Sequence, residues 1–115
     1  MIIRKQDRSS KTRVAMREGP GEVFITDICA KEDIYEKGRT YAQMLLRKNC
    51  GIGVHTHEGE KEIFLINRGK AIYNDDGKEY EVKQGDVTIC EDGHSHGITN
   101  VFDEDCELIA LIVLK

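Results

Sequence analysis

The chain has 115 residues, a length at which a single hydrophobic core is the usual solution, so a two-domain enzyme is excluded. Hydrophobic residues make up 39% of the chain and charged residues 33%, with a mean hydropathy of -0.48, which excludes a disordered chain. The longest apolar run, residues 108–114, is shorter than the about 20 residues that a membrane-spanning helix needs. The first residues are soon charged and lack the apolar segment of a secretory signal, so we expect a cytoplasmic location.

The N-terminal region differs in charge from the rest of the chain. Residues 1–20 carry six basic and two acidic side chains, a charge of +4, whereas the remainder carries eleven basic and nineteen acidic side chains, a charge of -8. A basic arm could bind an anionic partner, or it could complement the acidic body of this chain or of a second subunit. We expect the second, and no nucleic-acid partner, because no aromatic residue lies among these charges for base stacking. We call residues 1–21 the N-terminal arm.

From residue 22 onward, short β-branched and apolar runs alternate with turn residues, which is typical of an all-β sandwich or barrel. Residues 74–77, Asn-Asp-Asp-Gly, predict a hairpin turn because these residue types tolerate positive φ. Residues 30–36 predict a single helical turn that serves as a connector. The sequence therefore predicts one all-β domain over residues 22–115, with strands at 22–28, 41–48, 52–57, 62–68, 70–73, 78–83, 87–90, 96–101 and 107–114.

The cysteines show no pattern of a zinc site or a disulfide framework. There are four, without a CxxC pair, and a chain of this length can build a core without disulfides. We expect reduced thiols at Cys29, Cys50, Cys90 and Cys106.

Two predicted strands are apolar on both faces. Residues 63–66 and 108–114 lack the alternation of a half-buried strand, so both of their faces need cover. One face can fill a barrel, and the other needs a second sheet or a second subunit. Packing of the second face on a second sheet and packing on a second subunit both stay open, and the two are compatible. We expect a homodimer in which the N-terminal arm pairs with the partner's sheet edge.

The strongest signal is the clustering of all four histidines in two short segments: His55 and His57, then His94 and His96. Residues two apart in a strand point to the same face, so His55 and His57 can present two imidazoles to one ion.

A carboxylate follows the first histidine pair after a polar turn. Glu62 opens the returning strand, and if it faces inward, so do Phe64 and Ile66, which places a polar group above an apolar floor. Inside a barrel, the polar atoms of two imidazoles and a carboxylate would lack hydrogen-bond partners unless an ion or other polar groups were present. The alternative is that all of them face solvent.

These residues resemble the two motifs of the cupin superfamily of small β-barrels. The first motif reads Gly, five residues, His-x-His, three or four residues, Glu, six residues, Gly. This chain has Asn49, five residues, His55-Thr56-His57, four residues, Glu62, six residues and Gly69. Asn replaces the first Gly, a mild change because Asn tolerates the left-handed conformation.

The second cupin motif reads Gly, five residues, Pro-x-Gly, two residues, His, three residues, Asn. This chain has Gly85, five residues, Glu91-Asp92-Gly93, two residues, His96, three residues and Asn100. Glu91 stands where the family has Pro, so the turn before His96 loses a fixed φ. The resemblance covers residues 40 to 114 well.

The resemblance implies a double-stranded β-helix, or jelly-roll barrel, and one divalent metal ion bound by His55, His57, Glu62 and His96. It places no ligand at His94, which we assign to the rim of the site. Three imidazoles and one carboxylate suit Mn, Fe, Co, Ni, Cu or Zn. Four protein ligands leave two coordination positions of an octahedral ion open, whereas they would fill the coordination shell of a tetrahedral zinc ion and make the site structural.

The resemblance leaves two classes of function open. The first is an enzyme for a small polar metabolite, of the dioxygenase, isomerase or lyase type. The second is a non-catalytic protein that binds or senses a small ligand with the same metal site. Cupins share one fold among many functions, and no catalytic residue stands out. Tyr41, Gln43 and Tyr73 could line the pocket, but we expect ordinary strand residues there.

Overall fold

The computed structural model describes residues 1–115 and is almost entirely β-structure. All nine predicted strands are present, with ends shifted by up to three residues, and a tenth strand lies in the N-terminal arm. In chain order the strands are β1 (Ser10–Val14), β2 (Glu22–Asp27), β3 (Gly38–Leu46), β4 (Cys50–Thr56), β5 (Glu60–Arg68), β6 (Lys70–Asp75), β7 (Lys78–Lys83), β8 (Val87–Cys90), β9 (Ser95–Asn100) and β10 (Cys106–Leu114).

Helical structure is limited to three short 3-10 helices at Lys5–Asp7, Met16–Glu18 and Lys31–Ile34. The last confirms the helical turn predicted over residues 30–36. None of the helices has the length and apolar character needed to cross a membrane.

The strands form two antiparallel sheets. One has six strands in the order β1-β2-β3-β10-β5-β8, and the other has four in the order β4-β9-β6-β7. One cluster of fifteen buried hydrophobic residues fills the space between them. It includes Phe64 and Ile66 on β5, both fully buried, because alternate residues of a strand share a face. Glu62 lies on that same face and is also buried, as predicted.

The hairpin between β6 and β7 is closed by Asp76 and Gly77. Both have positive φ, 54° and 97°, the conformation that a two-residue type I′ turn requires. The turn predicted at residues 74–77 is therefore confirmed.

β1 was not predicted from the sequence. All five of its side chains are exposed, so it shows no apolar alternation by which a strand could be recognised. It pairs antiparallel with β2 of the same chain, Ser10 opposite Thr26 and Val14 opposite Glu22. The boundary that we placed between residues 21 and 22 stays a prediction.

Candidate metal centre

Strands of both sheets bring four polar side chains to one point inside the barrel. His55 and His57 come from the end of β4 and the residue after it, Glu62 from β5 and His96 from β9. The register of β4 and β9 places His55 directly opposite His96. The four ligand atoms lie within 4.8 Å of one another. We call these four side chains the histidine-glutamate cluster.

The imidazole of His57 is at the centre of the cluster. Its Nε2 atom lies 3.0 Å from the Nε2 atoms of both His55 and His96. Glu62 Oε1 lies 3.1 Å from His57 Nε2 and 2.9 Å from His96 Nε2. His57, Glu62 and His96 are buried, while the half-buried His55 lies nearer the opening.

The orientation of two imidazoles follows from what their other nitrogens contact. His55 Nδ1 lies 2.7 Å from the carbonyl oxygen of Gly53, which can only accept a hydrogen bond. His57 Nδ1 lies 2.5 Å from a carboxylate oxygen of Glu60. Each Nδ1 therefore donates its proton outward, and in the neutral ring each Nε2 presents a lone pair to the centre of the cluster.

Tyr73 and Phe64 hold the third imidazole. The Tyr73 hydroxyl lies 2.8 Å from His96 Nδ1, and the Phe64 ring stacks on the imidazole with centroids 5.0 Å apart. Burial raises the pKa of Tyr73 to about 12, so its hydroxyl stays protonated at neutral pH. The expectation that Tyr73 is an ordinary strand residue was wrong.

The spacing of the cluster suits a cation. Lone pairs on two facing nitrogens 3.0 Å apart repel unless a positive charge lies between them. Two ligand atoms that are each about 2.1 Å from one ion lie about 3.0 Å apart when their bonds meet at a right angle, and about 3.4 Å apart in a tetrahedron. Four separations of 2.9–3.1 Å match the right angle, whereas His55 Nε2 lies farther from Glu62 Oε1, at 3.8 Å. The donor set of three nitrogens and one oxygen suits a divalent transition ion.

An ion pair supports His57 from outside the cluster. Arg39 donates from Nε and Nη2 to the two oxygens of Glu60, both at 2.8 Å, and Glu60 in turn accepts from His57. The hydrogen bond from Arg39 lowers the pKa of Glu60 to about 2, so Glu60 is ionised. Such carboxylate–histidine contacts orient metal-binding imidazoles and raise their basicity.

The carboxylate of Glu62 is also ionised. Burial alone would raise its pKa, but its contacts with His55, His57 and His96 outweigh burial and hold the pKa well below the usual range. The cluster therefore has a fixed negative charge for a cation.

His94 lies on the surface, outside the histidine-glutamate cluster. Its Nδ1 atom is 2.9 Å from Asp76 Oδ2, and both side chains are more than half exposed. Gln43 is also remote from the site, since its amide donates to Glu107. Tyr41 lines the cavity described next.

A cavity of about 340 Å³ leads to the cluster. His55, His57 and Glu62 form its inner end, and apolar side chains of β2, β3 and β4 form part of its wall, among them Ile25, Met44 and Ile52. The cluster is therefore open to a small molecule.

Comparison with known proteins agrees with this fold. The cupin domain family matches residues 42–112. An oxalate-binding protein of Thermotoga maritima is 37% identical over 114 residues, which cover 99% of this chain and 94% of that protein. The crystal structure of a predicted oxalate decarboxylase from Thermotoga maritima matches with a TM-score of 0.95 and 36% identity, covering 100% of both chains.

A more distant match shows the fold alone. A cupin-like protein from Thermotoga maritima has a TM-score of 0.71 and 22% identity over 81% of this chain and 69% of that one. The predicted jelly-roll barrel is confirmed, and the chain belongs to the cupin family.

Proposed function

We propose that this protein binds one divalent transition metal ion through His55, His57, Glu62 and His96, and that the loaded site binds a small carboxylate of the oxalate class. The observation that carries the proposal is the convergence of three imidazole nitrogens and one carboxylate oxygen within 4.8 Å at the inner end of a cavity. When bound, the ion supplies Lewis acidity and open coordination positions for oxygen ligands.

The ligand class is supported by likeness to relatives. The Thermotoga maritima relative that covers nearly all of this chain is named an oxalate-binding protein. Oxalate is a compact dicarboxylate whose oxygens suit a divalent ion.

Turnover of the same ligand is a second candidate function. The structure with a TM-score of 0.95 is described as a predicted oxalate decarboxylase, which is of the lyase type. Decarboxylation of oxalate replaces a carbon–carbon bond by a carbon–hydrogen bond, so the cavity must supply a proton.

Calorimetry and product analysis together test these proposals. We expect oxalate to bind the metal-loaded protein and to bind the metal-free protein far more weakly. Formate and carbon dioxide in the mixture would support the lyase, and unchanged oxalate would support binding alone. The absence of oxalate binding to the loaded protein would contradict both.

We also propose that the protein is a homodimer. The register of β8, β5 and β10 aligns apolar side chains in two rows on the outward side of the six-stranded sheet. Three of these side chains are more than a third exposed, and contiguous exposed apolar side chains often mark an interaction site. The rows are Ile89, Ile63 and Leu111, then Val87, Leu65 and Ile109.

Light scattering at micromolar concentration tests the dimer. We expect twice the mass of one chain, and the mass of one chain for Ile89→Lys, which places a charge in the patch at a position already 50% exposed. A monomeric mass for the unaltered protein contradicts the proposal.

A cytoplasmic location is likewise our proposal. All four cysteines are free, and Cys29 and Cys50 are only half-buried, which suits a reducing compartment. Fractionation of the native cells tests it, and recovery in the extracellular fraction contradicts it.

A further inference from the structure

The rim of the cavity carries unpaired positive charge. Lys11, Arg13 and Arg17 of the N-terminal arm line the cavity and are exposed, and none of them takes part in the ion pairs or side-chain hydrogen bonds of the chain. The other two cations of the cavity are paired, Lys31 with Glu36 and Arg39 with Glu60.

The direction of two of these side chains follows from strand register. Lys11 lies opposite Ile25 and Arg13 opposite Val23, and residues directly opposite in an antiparallel pair share a face. Val23 and Ile25 are buried in the core. Lys11 and Arg13 therefore stand on the interior side of the sheet, at its edge, where the neighbouring strand presents apolar residues.

Close backbone packing fixes the position of the Arg17 backbone. The amide of Gly51 donates to the carbonyl of Pro20 at 2.9 Å, which ties the arm to β4. A Cβ atom on Gly53 would lie 2.0 Å from the carbonyl oxygen of Arg17, and one on Gly19 would lie 2.5 Å from the Gly53 nitrogen. Only glycine permits this approach, which sets Arg17 beside the segment that leads to His55.

The arm adopts an unfavourable backbone conformation at this point. Ala15, Arg17 and Glu18 all have positive φ, between 52° and 63°, a region that non-glycine residues rarely occupy. Strain of this kind concentrates at ligand-binding segments.

We propose that Lys11, Arg13 and Arg17 form a second anion subsite, so that the cavity takes an elongated dianion with one carboxylate at the histidine-glutamate cluster and its other anionic group at the basic rim. The inference rests on the proposed function and extends it to the length and charge of the ligand. A cavity of about 340 Å³, against about 30 Å³ for one water, has room for more than oxalate.

The rim also contains two carboxylates. Asp27 and Glu32 line the cavity, and neither lies within ion-pair distance of the three cations. The three cations outnumber them and stay free for a ligand.

Edge protection is the competing explanation for these charges. Inward-pointing charged residues on an edge strand prevent pairing with another sheet, and β1 is the edge strand of its sheet. That explanation predicts self-association when the charges are removed, with no change in ligand affinity.

Calorimetry of the metal-loaded protein separates the two explanations. The probes are oxalate, succinate and glutarate, together with the half-amides of the two longer acids, which keep the shape and lose one charge. The proteins are the unaltered chain, the double variant Arg13→Gln/Arg17→Gln, and the control Arg4→Gln, an exposed arginine of the same arm outside the cavity.

We expect at least one longer diacid to bind the unaltered protein about tenfold more tightly than its half-amide, as for a charge-assisted hydrogen bond. This preference should disappear in the double variant and persist in the control, with oxalate affinity changed less than threefold. An equal preference in all three proteins, or binding of oxalate alone, overturns the second subsite and leaves the oxalate site standing. Failure of every acid to bind the loaded protein overturns the proposed function as well.

Discussion

Replacing Glu60 tests whether the ion pair outside the cluster tunes the metal site. Glu60 accepts from His57 and is held by two 2.8 Å hydrogen bonds from Arg39. Glu60→Gln keeps an acceptor for His57 but loses the charge, whereas Glu60→Ala loses both. Loss of such a supporting contact costs about 10-fold to 100-fold in metal affinity, so we expect about tenfold for Glu60→Gln and more for Glu60→Ala.

The effect on folding should be smaller than the effect on metal binding. The side chain of Arg39 is 42% exposed, and exposed ion pairs contribute only about 0–1 kcal/mol to stability. We therefore expect Glu60→Gln to lower the free energy of unfolding of the metal-free protein by less than about 1 kcal/mol.

Competition against a chromogenic chelator measures the dissociation constant, and urea unfolding measures stability. Asp103→Asn is the matched control, because it breaks the exposed ion pair of Lys48 with Asp103 at 2.7 Å, away from the cluster. An unchanged metal affinity in Glu60→Ala, or an equal loss in the control, would refute the reasoning.

Three further predictions concern pH, packing and the N-terminal arm. Metal occupancy should fall as the pH drops through about 6.5, because protons compete with the metal for the imidazoles. His57 takes part in this competition with a raised pKa, because of its hydrogen bond to Glu62. Occupancy that stays unchanged to about pH 4 in a pH titration counts against the site. Phe64→Ala should lower the free energy of unfolding by about 3–5 kcal/mol, since Phe64 is fully buried; a loss below about 1 kcal/mol in urea unfolding would contradict its place in the core. Gly53→Ala should destabilise the arm on β4, which faster proteolysis within residues 10–20 would show, whereas unchanged protection means that the close contact is absent.

A surface histidine offers a check on electrostatics away from the cluster. The hydrogen bond to Asp76 raises the pKa of His94, so the contact stabilises the fold at pH below the unfolded pKa and is lost as the pH rises through the folded one. NMR titration should show a lower His94 pKa in Asp76→Asn than in the unaltered protein. Equal values would mean that the contact does not form.

The sequence predicted the elements with strong local patterns. Period-two alternation paired His55 with His57 and pointed to Glu62, and the resemblance to the cupin motifs added His96 to the cluster. The same alternation correctly predicted that Phe64 faces inward on the same side of the strand as Glu62.

The features that sequence reasoning missed depend on contacts between distant strands. Arg39 on β3 meets Glu60 on β5 across β10, and the hydroxyl of Tyr73 on β6 contacts His96 on β9. No local pattern in the sequence determines which residues of these strands come into contact. The sequence did contain one signal for Glu60, which is an acidic residue three positions after His57. The direction of its side chain, however, depends on a turn in which Gly59 has a φ of 74°.

Anomalous diffraction from crystals of the protein purified from its native source, recorded on both sides of the absorption edge of the metal found by elemental analysis, tests the central claim most directly. We expect about one transition ion per chain, with the anomalous peak among the Nε2 atoms of His55, His57 and His96 and the carboxylate of Glu62, at nitrogen distances of about 2.0 to 2.2 Å. A protein without transition metal, or a peak elsewhere on the chain such as at His94, would contradict the proposed metal centre.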